Sequence, residues 1–255
     1  SWIDRLPSDR ARRILDLLIE ATCCVDPAEL SVAAFLSMVR HEGGLATMMK
    51  TLGGAQDSLI TEGAATLTER LAADLGPRVR TGCEVTGIRH SDDGVSLTTE
   101  SDTIRARKAV VTVPAPMAAN IDFQPALPPD RVALQRNTRM GSVYKAIAVF
   151  ERPFWRAHAE AESIQIGNPG YAVFDSSAPG GPGHLCILAA GRTAHQLDGL
   201  GMQERQAVLL EGLVPRLGNE VTNPADWHEK SWHQDAFAGG GYAALPLLGA
   251  RDGSY

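Results

Sequence analysis

The chain has no GxGxxG loop, no Walker lysine motif and no GxSxG elbow. Nothing in it announces a dinucleotide fold, a P-loop nucleotidase or a serine hydrolase by motif alone. Basic charge is also in short supply. Lys and Arg total 24 against 30 Asp and Glu, and the net charge of −6 argues against a broad nucleic-acid footprint. No apolar run reaches the roughly 18 residues of a membrane span. The charged start, SWIDRLPSDRARR, has no signal-peptide core and no initiator Met, so the chain is expected to begin mid-protein. Cysteines are few: Cys23, Cys24, Cys83 and Cys186. There is no CxxC pair, and adjacent Cys23 and Cys24 cannot form an ordinary disulfide with each other, so all four are expected to be reduced. The histidines show no HxxxH or HxH spacing, and no metal site is expected.

What is present is an ordinary globular composition, 44% hydrophobic, over 255 residues. That is enough for one large domain or two small ones with a sizeable core. Ser8 can cap a helix with Ile14, Leu17, Leu18 and Ala21 on one face. Asp26-Pro27-Ala28-Glu29 reads as N-cap, N1 proline and capping-box acid of a second helix that stops at Gly43-Gly44. Residues 64–75 read as a third helix. The period then changes to two. Cys83–Ile88 and Val95–Thr99 flank an Asp92-Asp93-Gly94 turn. Thr103–Arg107 reads as a further strand, and Ala109-Val110-Val111-Thr112-Val113, ended by Pro114, as a buried one. A helix is expected over Asp130–Arg139. Strands follow at Ser163–Ile166, Tyr171–Phe174, His184–Ala190 and Asp226–Trp232, with a helix at Gln203–Arg216. The fold class is α+β: a mixed sheet with flanking helices. The expected division is a helical region over 1–80, hairpin strands over 81–115 and a mixed-sheet domain over 116–255.

Two features stand out. In GSVYKAIAVFERPFW both alternating faces are apolar, so the strand reads as buried on both sides, yet it carries Lys145. A lysine there is an edge residue reaching water, the partner of a buried acid, or a group lining a closed site. Gly239-Gly240-Gly241 follows a strand with no helix after it, so a tight backbone approach explains it better than a phosphate nest.

Three ordered blocks resemble the flavin-dependent amine oxidase family, the monoamine oxidases: LGGAQDSLITEGAATLTERLAADLGPRVRTGCEVTGIRHSDDGVSLTT, AVVTVPAPMAANIDFQPALPPDRVALQRNTRMGSVYKAIAVFERPFW and EKSWHQDAFAGGGYAALPLLG. The resemblance implies an FAD enzyme acting on a small-molecule amine and oxygen, with a primary monoamine favoured and an aldehyde, ammonia and hydrogen peroxide as products. It assigns Lys145 the lysine that holds a water where the amine is oxidised. It assigns Val85, Thr112, Val113 and Pro114 to FAD binding, together with the aromatics Trp232 and Tyr242. Met49, Gln56 and Tyr242 would line the substrate cavity. Gly241 stands where animal members carry a flavin-linked cysteine, so FAD would be held non-covalently.

The family's N-terminal GxGxxG and its C-terminal GTE-type flavin segment are not in this sequence. The resemblance therefore implies a substrate-binding part plus the adenine-side strands of the FAD domain, poorly equipped to hold FAD by itself. Other readings stay open: a non-catalytic binding module derived from the family, an L-amino-acid or polyamine oxidase, or another FAD-dependent relative such as a desaturase. An amino-acid substrate would need an arginine, and Arg40 and Arg139 are the first to consider, although solvated helix ends explain them as well. A cytoplasmic parent without membrane or nucleic-acid partners is expected. Apolar surface where the cofactor part would dock makes self-association, up to a homodimer, an expectation.

Overall fold

The computed structural model describes residues 2–49, 58–60, 62–157, 163–167 and 169–250; of Met49 and Ser163 only the backbone is described. The chain opens with helices. Ser8 caps α1 (Asp9–Cys23) by accepting from Ala11 N–H at 3.4 Å, and α1 buries Leu18, Ile19 and Cys23. Its end is Cys24, in the left-handed region at φ 57°. Such a conformation costs a non-glycine residue about 1–2 kcal/mol.

Asp26 does cap a turn, accepting from Ala28 N–H at 2.9 Å, but that turn stops at Glu29. The second helix, α2 (Val32–His41), starts afresh under Ser31. The capping box expected from Glu29 does not form, because its carboxylate is taken by Arg139 at 3.0 Å. Leu30 is left extended and packs into the apolar cluster of Ile3, Leu18, Ile19 and Phe35. Short α3 (Leu45–Met49) and then α4 (Ala65–Leu75) follow.

The first sheet holds β1 (Val85–Ser91), β2 (Gly94–Thr99), β3 (Thr103–Ala106) and β4 (Asp122–Gln124) in the order β3-β2-β1-β4, with β4 parallel to β1. The residues between β3 and β4 depart from expectation. Ala109–Val113 forms no strand, and Val110 is 86% exposed. An apolar run becomes a buried strand only when neighbours flank it, and no described strand pairs with this one. Pro114 then leads into the one-turn α5 (Ala115–Ala118). The helix α6 (Pro129–Arg136) stops three residues short of Arg139, which lies in β5 (Thr138–Met140) instead of at a helix end.

The second sheet is antiparallel. It contains β6 (Val143–Phe150), β7 (Ser163–Gly167), β8 (Gly170–Asp175), β9 (Gly183–Ala190) and β10 (Asp226–Ser231), in the order β10-β6-β9-β8-β7. Between β9 and β10 come α7 (Gly191–Asp198), α8 (Met202–Glu211) and α9 (Val214–Leu217), and β11 (Ala244–Pro246) pairs with β5. The single helix expected over 203–216 is two. Pro215 has no N–H and its ring would strike the carbonyl four residues back, so the helix restarts there. Gly212 at the break gives room to Tyr171, whose hydroxyl a Cβ would meet at 2.2 Å and which donates to Leu209 C=O at 2.6 Å.

The β6 strand is buried on one face, not two. Tyr144, Ala146, Ala148 and Phe150 pack with Leu197, Leu209, Leu210 and Leu213 from the helices, each leucine contributing about 2 kcal/mol by burial. On the other face Ile147 and Val149 are half-buried and Lys145 is exposed. The lysine is thus on the open side of the sheet.

Behind that sheet, Glu229 collects Tyr144 O–H at 2.6 Å, Trp227 Nε1–H at 2.9 Å and Arg205 Nε–H at 3.1 Å. Glu229 and Arg205 are mostly covered, at 14% and 19% exposure. Burial pushes the Glu229 pKa up, and the Arg205, Trp227 and Tyr144 hydrogen bonds overcome it, leaving a net lowering. Glu229→Ala takes the carboxylate from the mostly covered Arg205, which keeps Leu200 C=O as an acceptor, and is expected to cost about 2–3 kcal/mol in urea unfolding.

Asp175 ties the Phe154–Trp155–Arg156 corner to the same sheet. It accepts from Trp155 Nε1–H at 2.9 Å, Arg156 Nε–H at 2.6 Å and Ser177 Oγ–H at 2.6 Å. Burial raises its pKa, and the hydrogen bonds from Arg156, Ser177 and Trp155 outweigh that, so the net shift is downward. A lowered folded value means the stabilisation is complete above the ordinary carboxylate range, near pH 4, and fades as pH falls through the folded value. Asp175→Asn is therefore expected to cost about 2 kcal/mol at pH 7, with the gap to wild type shrinking below about pH 4 in denaturant melts. Among the described residues no helix is long and apolar enough to cross a membrane, and all four cysteines are unpaired thiols.

Candidate active site

Three backbone segments cross at Gly141-Ser142, just before β6. Ser142 N–H donates to Cys24 C=O at 2.6 Å, Gly241 N–H to Gly141 C=O at 2.9 Å, and Gly191 N–H to Ser142 C=O at 2.8 Å. A Cβ on Gly141 would lie 2.3 Å from Gly241 O and 2.7 Å from Cys23 O. Gly240, at φ 142°, would set its Cβ 2.2 Å from Gly141 O. The triple glycine is thus a close backbone approach, as its sequence setting suggests.

This crossing fixes Tyr242 relative to the Lys145 strand. The Tyr242 hydroxyl meets the buried Cys24 thiol, and its pKa is raised by burial and then by Cys24 and Cys186. Burial pushes Cys24 up to about 12, so it stays a neutral thiol. Cys186 is likewise raised by burial, with Lys145 pulling the other way. Cys186 therefore lies within electrostatic reach of both Lys145 and Tyr242. The rest of the Tyr242 side chain is open, the residue being 53% exposed.

Trp232 reaches the same face by another route. Across the β6–β10 ladder Lys145 stands opposite Lys230, so the two side chains share a face. The Lys230 ammonium lies 5.6 Å from the centre of the Trp232 ring and 2.8 Å from Asp235. The Lys230 hydrogen bond, with those of Ala238 and Phe237 N–H, takes Asp235 down to about 2. Lys145 has no carboxylate within ion-pair distance among the described residues. Leu188 stands opposite it on β9, with Val143 and Ile147 two residues to either side.

Lys145, Trp232 and Tyr242 therefore lie on one face of the sheet, Lys145 and Trp232 each beside Lys230, and Lys145 and Tyr242 each within electrostatic reach of Cys186. Val85, Thr112, Val113 and Pro114 lie outside the β6 sheet. Val85 opens β1 at a bulge opposite Thr99. Thr112 and Val113 are exposed, and Val113 edges a cleft of about 420 Å³ with Val110, Phe123 and Leu134. Among the described residues no hydrogen bond or ion pair joins these four to Lys145. Only the Met49 backbone, at the end of α3, is described, and Gln56 lies outside the described residues. Lys230 and Cys186 escape a reading by motif. Only the strand register puts them beside Lys145.

The family description "Flavin containing amine oxidoreductase" matches residues 6–253, nearly the whole chain. The chain belongs to this family. It is 30% identical over 245 residues to "Amine oxidase [flavin-containing]" of Oncorhynchus mykiss, covering 92% of this chain and 46% of that protein. It is 32% identical over 190 residues to "L-amino acid dehydrogenase" of Synechocystis sp., covering 73% of this chain and 40% of that one. Cyclohexylamine oxidase from Brevibacterium oxydans superposes with a TM-score of 0.88 at 26% identity, over 98% of this chain and 56% of that one. The chain thus spans about half the length of the curated relatives it matches.

Family membership implies a flavin in the parent protein. The residues present fit one at two places. The Lys145 face is open and carries half-buried Ile147 and Val149 and two exposed aromatics beside its two lysines, a surface on which a flat ring can lie. The irregular run at 109–113 leaves its backbone N–H groups without protein partners among the described residues, available to a polar ligand.

Proposed function

We propose that this chain is the substrate-side part of an FAD-dependent amine oxidase whose substrate is a primary monoamine. The observation that carries the reading is the convergence of Lys145, Trp232 and Tyr242 on one open sheet face. When bound, the flavin supplies the two-electron oxidation of the amine and delivers those electrons to oxygen. The amine loses two electrons and two protons to become an imine. Water hydrolyses the imine to aldehyde and ammonia, and oxygen leaves as hydrogen peroxide.

The chain's own residues orient and select. Lys145 holds a water against the reacting carbon. Its charge also disfavours the protonated form of a neighbouring amine, and only the neutral amine has a lone pair to give. The exposed ring faces of Trp232 and Tyr242 wall the amine and exclude bulk water. Val85, through its backbone, and Thr112, Val113 and Pro114 hold the cofactor non-covalently, since Gly241 offers no sulfur for a bond. The resemblance gives Met49 and Gln56 to the substrate cavity.

The flanking side chains favour a monoamine. The second ammonium of a diamine would meet Lys230, whose one carboxylate partner, Asp235, is already engaged. Of the two arginines considered for a carboxylate substrate, Arg139 is held by Glu29, and Arg40 lies near the end of α2, away from the β6 sheet in the chain. The test is anaerobic mixing of the intact protein with a monoamine, a diamine and an L-amino acid. Bleaching of the flavin absorbance by the monoamine at the lowest concentration is expected. A protein purified without flavin, or one bleached by none of the three, would overturn the proposal.

A further inference from the structure

A second cluster lies where α7 meets the turn after β10. His195 and Asp198 stand one helical turn apart on α7, and His233 comes from the short turn at Trp232–Gln234. Asp198 Oδ2 is 2.6 Å from His233 Nε2 and 3.6 Å from His195 Nδ1. The three donor atoms all lie within 4.8 Å of one another. His233 is 8% exposed, Asp198 19% and His195 60%.

The hydrogen bonds around the cluster fix its polarity. His233 Nδ1 faces Val143 C=O at 3.3 Å, and a carbonyl can only accept, so Nδ1 carries the hydrogen. In a neutral ring Nε2 then presents a lone pair to a carboxylate oxygen 2.6 Å away. Ser231 Oγ–H donates to Asp198 Oδ1 at 2.9 Å and so turns Oδ2 toward the histidines. Two electron-rich atoms this close need a cation between them. A proton on Nε2 would join His233 to Asp198, with the His195 ring packed edge-on against His233 at 4.8 Å between ring centres, whereas a metal ion would engage all three groups at once.

We infer that His195, Asp198 and His233 form a binding site for a divalent transition-metal ion, with Zn²⁺ the best match to two imidazoles and one carboxylate. Around a tetrahedral zinc with bonds of about 2.0–2.2 Å, neighbouring ligand atoms sit about 3.3 Å apart. The His195–Asp198 spacing is near that; on metal binding the His233–Asp198 contact would open by about 0.7 Å and the two histidine donors, within 4.8 Å of each other, would draw together by up to about 1.5 Å, through rotation of the exposed His195 ring. The outer hydrogen bonds that metal ligands use are already made, by Val143 C=O on the histidine and Ser231 on the carboxylate. Asp198 also lines a cleft of about 300 Å³ with Ser231, Lys230 and Gln234, and His195 is exposed, so a water can reach the site. The ion would tie α7 to the turn that carries Trp232. Nothing in this inference depends on the amine-oxidase reading.

The intact protein, stripped with EDTA, is to be melted with and without ZnCl₂, beside His195→Ala. His195 is mostly exposed, so the variant is expected to melt with wild type in EDTA. Zinc in large excess is expected to raise the wild-type Tm by about 5 °C and to leave His195→Ala unmoved. Zinc K-edge absorption of the loaded protein should show two imidazoles and no sulfur. An unmoved wild-type Tm, an equal rise in His195→Ala, or a sulfur shell at the edge would overturn the site.

Discussion

Lys145→Met in the intact protein is expected to slow reduction of its flavin by amine about 10²-fold, read by anaerobic stopped flow. On the proposed reading Lys145→Met removes a positioned water and a charge that favours the neutral amine, and proton handling by a placed group contributes about 10²–10⁴-fold. The same change should leave stability within about 1 kcal/mol. Lys145 has no ion pair among the described residues, and it faces Lys230, so deleting its charge removes a like-charge contact. The two readouts together separate a reacting-site role from a packing role. A lysine that merely held the sheet together would lower the melting midpoint and leave the reduction rate per folded molecule unchanged.

Gly141→Ala is expected to have the largest effect on folding. Its new Cβ would stand 2.3 Å from one backbone oxygen, 2.7 Å from another and 2.7 Å from Cys24 Cβ. Backbone atoms cannot swing aside as a flexible side chain can, so the α1 end and the Tyr242 loop must separate. Overpacking typically costs about 1–3 kcal/mol, and here three contacts add. A loss of about 3 kcal/mol or more, or insoluble protein, is expected in urea melts. Gly167→Ala is the matched control. Its Cβ would have nothing within 4 Å among the described residues, so that variant should fold within about 0.5 kcal/mol of wild type.

The regular elements were legible where periodicity and caps agreed. The β6 alternation, the Asp92-Asp93-Gly94 turn and Ser8 as a cap all read directly from residue order. Three kinds of information were not. The apolar run Ala109–Val113 has strand composition, but strand formation depends on a neighbour, and none of the described strands supplies one. The two apolar faces of β6 look alike in sequence, and only the placement of α7–α9 decides which is covered. Groups that meet through the ladder carry no local signature. Lys230 lies far along the chain from Lys145 yet stands opposite it, and His233 joins His195 and Asp198 from another element. Lys145, Trp232 and Tyr242 were singled out by resemblance to a family, and the fold brings them to one face.

The most direct test of that face as the amine site is a crystal structure of the intact protein with a bound amine. The expected result is the amine nitrogen against Lys145, between Trp232 and Tyr242, with the flavin ring over the same face of the β6 sheet. An amine or flavin bound elsewhere, with Lys145 covered by protein, would contradict it.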